Sequence, residues 1–251
     1  MTQEPYRYEG MLAETITFLG DGGRSINAYV ARPLGGGPYP GVVVIHEAFG
    51  LVEFTREIAR RFAARGYIAL APDLFTRIGA PDPADLPSVM EKMRGLPDAQ
   101  VVNDLEGAVS YLKGLPQGSG KVGVIGFCAG GRHTLMFACR TERIDAAVDC
   151  WGGRMVQDEL TDAQPVAPID MIADLSCPLL GLFGEQDQNP TVEQVERLRG
   201  ELIGHDKEFE IKVYPDAGHA FFADRRPSYR QEAAVDGWQQ VFAWFGKHLA
   251  S

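Results

Sequence analysis

The sequence predicts an α/β fold: a mostly parallel eight-stranded sheet with an antiparallel N-terminal strand and helices on both faces. Three observations point there. Short apolar runs alternate with stretches of helical periodicity along most of the chain, the pattern left by βαβ units. The inner runs, such as GVVVIH and KVGVIG, are continuously apolar rather than alternating, as strands covered on both faces must be. No repeat, low-complexity tract or linker divides the 251 residues, so 1–251 reads as one domain large enough for a sizeable core.

Residues 14–19 (ETITFL) and 25–32 (SINAYVAR) alternate and flank Gly-Asp-Gly-Gly, which predicts an antiparallel hairpin at a sheet edge. Buried strands are expected at 41–46, 67–71, 121–126, 145–150, 178–183 and 208–214. Helical periodicity marks the regions near 53–65, 99–114, 130–140, 191–203 and 228–249. In 53–65, Phe54, Ile58, Ala59 and Phe62 form one apolar face, and Gly66 follows where a helix can stop. In the last helix the same role falls to Val235, Trp238, Val241, Phe242 and Phe245. Residues 72–97 and 152–177 are rich in Pro, Asp and Gly and read as excursions at strand ends, where connections often line a site.

The formal net charge is -10 and basic runs are absent, which argues against nucleic acid as a partner. The polar N-terminus lacks a leader pattern, and the apolar runs are far shorter than the ~20 residues that cross a bilayer. A soluble, cytoplasmic chain, monomeric or a small homo-oligomer, is the expectation. Cys128, Cys139, Cys150 and Cys177 fall at wide, irregular spacings, and neither they nor the histidines form a metal pattern. No metal or cofactor is expected; His133 and His248 read as structural.

Chemistry concentrates where the strand KVGVIG runs into Gly126-Phe127-Cys128-Ala129-Gly130 and then a helix. This is the G-x-S-x-G nucleophile elbow with Cys replacing Ser, a turn too crowded for side chains at its glycines. At the start of a helix, the dipole also favours the Cys128 thiolate. Further on, PLLGLFG leads to Glu185 and Asp187, and EFEIKVYP leads to His219. Nucleophile, acid, histidine is the chain order of α/β-hydrolases. His219 is the expected general base, and Asp187 the acid that orients it. Glu185 stays open as a competitor; Asp187 lies further clear of the strand end. The backbone amides of Ala48 and Ala129 are the candidate oxyanion donors. Glu47 beside them is unexpected, because a carboxylate there repels the developing charge; taken alone it reads as a surface acid paired with an arginine.

The motifs HEAFG, PDLFTR, GFCAGG, GEQD and GHAFF, in that order, resemble the dienelactone hydrolase (carboxymethylenebutenolidase) family from about residue 15 to the end. The resemblance implies an α/β-hydrolase that opens small carboxylic esters or lactones through Cys128, His219 and Asp187 and an acyl-enzyme. It implies that Glu47 partners the thiol at rest, and that Arg77 holds a substrate carboxylate. A second carboxylate-binding arginine is implied four residues after the histidine, where this chain has Ala223, with Arg225 and Arg226 nearby. The implied partner is a small ester or lactone bearing a carboxylate. The alternatives are an esterase or thioesterase for other small substrates, and a non-catalytic ligand-binding member of the fold.

Overall fold

The computed structural model describes residues 10–157 and 159–250. Its eight strands are β1 (Met11–Leu19), β2 (Ser25–Pro33), β3 (Tyr39–Ile45), β4 (Ile68–Pro72), β5 (Gly118–Phe127), β6 (Ala146–Cys150), β7 (Leu179–Gly184) and β8 (Phe209–Tyr214). They form one sheet in the order β1-β2-β4-β3-β5-β6-β7-β8. β2 pairs antiparallel with both β1 and β4, and the remaining neighbours are parallel. The hairpin closes at Leu19↔Ser25 over a 3₁₀ turn, Asp21–Gly23, in which Gly22 and Gly23 both have positive φ.

Six α-helices cover the sheet: α1 (Glu53–Ala63), α2 (Leu86–Gly95), α3 (Asp98–Lys113), α4 (Ala129–Ala138), α5 (Val192–Gly204) and α6 (Gln231–Leu249). Consecutive strand residues feed opposite cores. Val43 and Ile45 of β3, with Val122 and Val124 of β5, pack toward α3, α4 and α5. Val42, Val44, Ile125 and Phe127 pack toward α1 and α6. Burial on both faces explains the unbroken apolar runs. On the second face Phe62 touches Tyr67, Trp238, Phe242 and Phe245, and a ring so enclosed contributes about 1.5–3 kcal/mol by burial. Val235, expected on the buried face of the last helix, is instead 51% exposed. Ala233, Ala234 and Gly237 face inward there, because Phe222 lies against Gly237 so closely that a Cβ would come within 2.3 Å of its ring.

α2 was not anticipated as a helix. It is short, begins with Pro at its first turn, and is capped by Asp85, whose side chain accepts the Ser88 N–H at 3.3 Å. It lies within the predicted 72–97 excursion; the other excursion carries a 3₁₀ segment, Pro168–Asp174.

Arg77 has a different task from the one expected. It follows β4 and turns toward α3, where its Nη1 and Nη2 donate to Asp104 at 2.6 and 2.8 Å. A further bond runs to the Asp21 carbonyl at 3.2 Å, and Asp104, wholly buried, also accepts the Asp21 N–H at 2.8 Å. The pair ties the hairpin turn to the sheet and α3, so the expectation that Arg77 reads a substrate carboxylate does not fit its placement. Removing one partner of a buried pair leaves an uncompensated charge and costs about 3–5 kcal/mol. Arg77→Ala is therefore expected to lower the urea unfolding free energy by about that amount, and a loss below about 1 kcal/mol would contradict the structural role.

Candidate active site

The strand order reverses between β3 and β5, the place where a parallel sheet opens a crevice beyond its carboxyl ends. The loops after β3, β5, β7 and β8 deliver Glu47 and Ala48, Cys128, Asp187 and His219 to that crevice, and all line one cavity of about 430 Å³.

Cys128 stands at the β5–α4 junction with φ 57 and ψ -117. A non-glycine residue rarely adopts this region, and the strain is of the kind found where geometry serves function. The turn is tight enough that a Cβ on Gly126 would lie 2.0 Å from the Gly130 carbonyl oxygen, and one on Gly130 would lie 2.3 Å from that of Ile45. Ala48 and Ala129, which follow β3 and Cys128, line the cavity beside it.

His219 Nδ1 lies 2.8 Å from Asp187 Oδ2. The other carboxylate oxygen of Asp187 accepts the Asn189 N–H at 2.9 Å, and the side chain is almost wholly buried. Glu185, the competitor, is exposed. Backbone bonds lash the acid loop to the histidine loop: Glu185 N–H donates to the Tyr214 carbonyl at 2.9 Å and Gln186 N–H to that of Ala217 at 2.8 Å. Burial opposes charge on His219, but hydrogen bonds with Asp187 and Cys128, and their charges, outweigh it and push the ring up to about 10.

Glu47 is 1% exposed, and its carboxylate is held bidentately by Arg226, through Nη1 at 2.8 Å and through Nη2. Arg226 in turn lies over the rings of Phe49 and Phe54. In place of the expected thiol partner Glu47 has this arginine, as its residue type alone suggested, but the pair is buried on the Glu47 side rather than at the surface. Behind it, His46 Nε2 accepts the Leu74 N–H at 3.2 Å, which leaves Nδ1 to donate to the Glu47 carbonyl at 2.6 Å. The imidazole thereby fixes the loop that carries Glu47 and Ala48.

One wall of the cavity is apolar, built by Ala48, Phe49 and the Leu86, Val89, Met90 and Met93 face of α2. Another is polar and was not anticipated, comprising Arg132, His133, Arg154 and Gln164. Arg132 donates to both oxygens of Asp98, at 2.7 and 3.0 Å. His133 was expected to be structural; it is buried, yet lines the cavity. The i, i+3, i+4 spacing of Leu86, Val89, Met90 and Met93 was the readable signal for the apolar wall. No local signal marked Arg154 or Gln164, which arrive from the second excursion.

The dienelactone hydrolase family model matches residues 26–249. A protein of Methylorubrum extorquens named "Putative carboxymethylenebutenolidase" is 41% identical over 228 residues, covering 89% of this chain and 77% of that protein. A Bradyrhizobium protein named "Probable 2-oxo-3-(5-oxofuran-2-ylidene)propanoate lactonase" is 31% identical over 244 residues, 95% of this chain and 98% of its own. The crystal structure of a "Putative Dienelactone Hydrolase" from Klebsiella pneumoniae subsp. pneumoniae superposes with a TM-score of 0.89 at 37% identity, covering 95% of this chain and all of that one. The chain belongs to the dienelactone hydrolase family.

Proposed function

We propose that this protein opens small lactones, or cleaves small carboxylic esters, with Cys128 as nucleophile, His219 as proton carrier and Asp187 as the residue that orients it. The observation that carries the reading is the 2.8 Å Asp187–His219 contact in the same cavity as a cysteine on a strained elbow. The chemistry follows from the groups present. Cys128 gives its proton to His219 and its Sγ bonds to the carbonyl carbon, while Ala48 and Ala129 N–H groups receive the charge gathering on the carbonyl oxygen. The acyl C–O bond then breaks, and the departing oxygen takes a proton from His219. Water, giving a proton to His219, attacks the thioester and frees the acid and the thiol. In a lactone the leaving oxygen stays tethered to the acyl group. The Bradyrhizobium relative's name describes such a lactone, one carrying a carboxylate, which supports a small, acid-bearing lactone as substrate here.

Glu47 serves in this reading as a positioning residue. It holds Arg226, whose charge acts on Cys128, so the pair keeps the two opposite charges balanced beside the thiol without touching the reacting atoms.

Cys128→Ala is expected to abolish opening of a butenolide and hydrolysis of 4-nitrophenyl acetate while circular dichroism and the urea midpoint stay those of the parent. Undiminished turnover would refute the nucleophile.

The pH behaviour of the imidazole gives a second test. His219, held near 10, keeps its charge fully below its free value of about 6.5 and loses it only as pH rises through about 10. Its ring proton signals are therefore expected to titrate near 10 by NMR in the parent, and closer to about 6.5 in Asp187→Asn. A midpoint that is the same in both would count against the Asp187–His219 pairing. At pH 6, Glu47→Gln is expected to raise the rate of Cys128 alkylation by iodoacetamide several-fold by freeing a cation, and Arg226→Gln to lower it by leaving a buried anion. Changes in the same direction would contradict the role of the pair.

A further inference from the structure

Three arginines that could meet a substrate are already engaged. Arg77 is taken by Asp104, Arg132 by Asp98 and Arg226 by Glu47. Arg154 is different. It lines the cavity that holds Cys128, and its Nη1 is buried without a hydrogen-bond partner among the described residues. A buried donor left unmade costs about 1–3 kcal/mol, more when the group is charged, so such an atom calls for a ligand or a role.

The backbone presents this side chain deliberately. Trp151 and Arg154 both have positive φ, 45 and 58, in a turn pinned at one end by Gly152 N–H donating to Asp149 Oδ1 at 2.8 Å. At the other end Arg154 N–H donates to Asn189 Oδ1 at 2.9 Å, two residues from Asp187, so the turn is tied to the acid loop of the triad. Two left-handed non-glycine residues within four positions are a cost that surrounding structure must hold in place. The charge balance points the same way. Burial, then the like charges of Arg132 and Arg94, work against the guanidinium's own charge, and Asp98, already bound to Arg132, offsets them only in part. His133 Nδ1, a second buried nitrogen of the same cavity, also lacks a partner among the described residues. The anion whose charge reaches Arg154 is Asp98, and Arg132 already holds both of its oxygens.

We propose that Arg154 is the specificity-determining residue for an acid-bearing substrate, its guanidinium receiving a carboxylate carried on the lactone or ester whose carbonyl meets Cys128. The inference rests on the hydrolase reading above and adds to it the group that reads the substrate. A monoanion is the fitting charge, because one uncompensated guanidinium matches one carboxylate, in the planar, paired geometry that Arg favours.

The test compares a butenolide bearing a carboxylate with the same butenolide bearing a carboxamide, in the parent, Arg154→Gln and Arg154→Lys. The ratio of kcat/KM for acid over amide is expected to fall about tenfold to hundredfold in Arg154→Gln, mainly through KM, and to recover in part in Arg154→Lys. A ratio within about twofold of the parent's in Arg154→Gln overturns the proposal. A turnover-independent arm uses glutarate to protect Cys128 from iodoacetamide. Protection by glutarate in the parent, weakened about tenfold or more in Arg154→Gln, supports the site; no protection in the parent, or equal protection in both, overturns it. If the parent opens neither lactone, the hydrolase reading fails by itself, and the glutarate arm still decides for or against Arg154.

Discussion

The elbow at Cys128 is the constraint around which the site is arranged. A cysteine held at φ 57 and ψ -117 costs about 1–3 kcal/mol, and only a rigid surround sustains it. That surround is α4, all ten of whose residues are buried, packed against β5 and β6 with nothing but glycine at the closest approaches. The same packing explains why the oxyanion-side loop is where it is. Gly130 lies so near the Ile45 carbonyl that a Cβ would come within 2.3 Å, so the end of β3 and the start of α4 share one contact. The loop leaving β3 has to emerge beside the nucleophile. Adjacent parallel pairing of β3 and β5, from Gly41↔Val122 to Ile45↔Gly126, thus sets the distance between two halves of the proposed machinery.

Electrostatics gives the second layer. Three buried acids come with arginines: Asp98 with Arg132, Asp104 with Arg77, Glu47 with Arg226. Such pairs contribute little net stability once desolvation is counted, but losing one member is costly, so they lock geometry more than they drive folding. Asp187 is held by His219 instead, and Asp149 differs from both kinds. Burial pushes it up to about 7 against the opposing pull of the Gly152 N–H, and a carboxyl that is readily neutral can sit beneath the elbow without an arginine of its own. Within this scheme Arg154 stands out, because its Nη1 is buried without a partner among the described residues.

Most of the fold was legible because its signals are local. Every strand run read from the sequence became a strand, and the elbow and the acid and histidine loops sit where chain order places them. What escaped depends on distant partners. Arg77 lies in a motif that suggests substrate contact, yet its partner Asp104 belongs to a helix 27 residues on. Glu47 met Arg226 across 179 residues, and no spacing rule reaches that far. Val235 fitted a helical stripe, but the register of α6 was decided by Phe222 packing on Gly237. α2 carried a readable i, i+3, i+4, i+7 pattern in Leu86, Val89, Met90 and Met93 that its Pro- and Asp-rich flanks concealed. Arg154 had no signal at all, since a single arginine in an irregular turn becomes conspicuous only when its neighbours are found to be paired.

The pairing of Glu47 with Arg226 resolves the oddity of an acid beside an oxyanion site. Alone, a carboxylate in a low-dielectric cleft would oppose the charge that builds on a carbonyl oxygen and would disfavour a thiolate at Cys128. Bound bidentately, and with its partner spread over Phe49 and Phe54, it becomes part of a nearly neutral unit whose field largely cancels a few ångströms away. In the proposed mechanism the backbone amides of Ala48 and Ala129 are then left to face the carbonyl oxygen. Because Arg226 is satisfied, it competes weakly for an incoming carboxylate, and the remaining attraction for an anion lies with Arg154. The two proposals together give bond-breaking and substrate reading to different cations in one cavity: His219 beside the thiol, and Arg154 on the turn after β6.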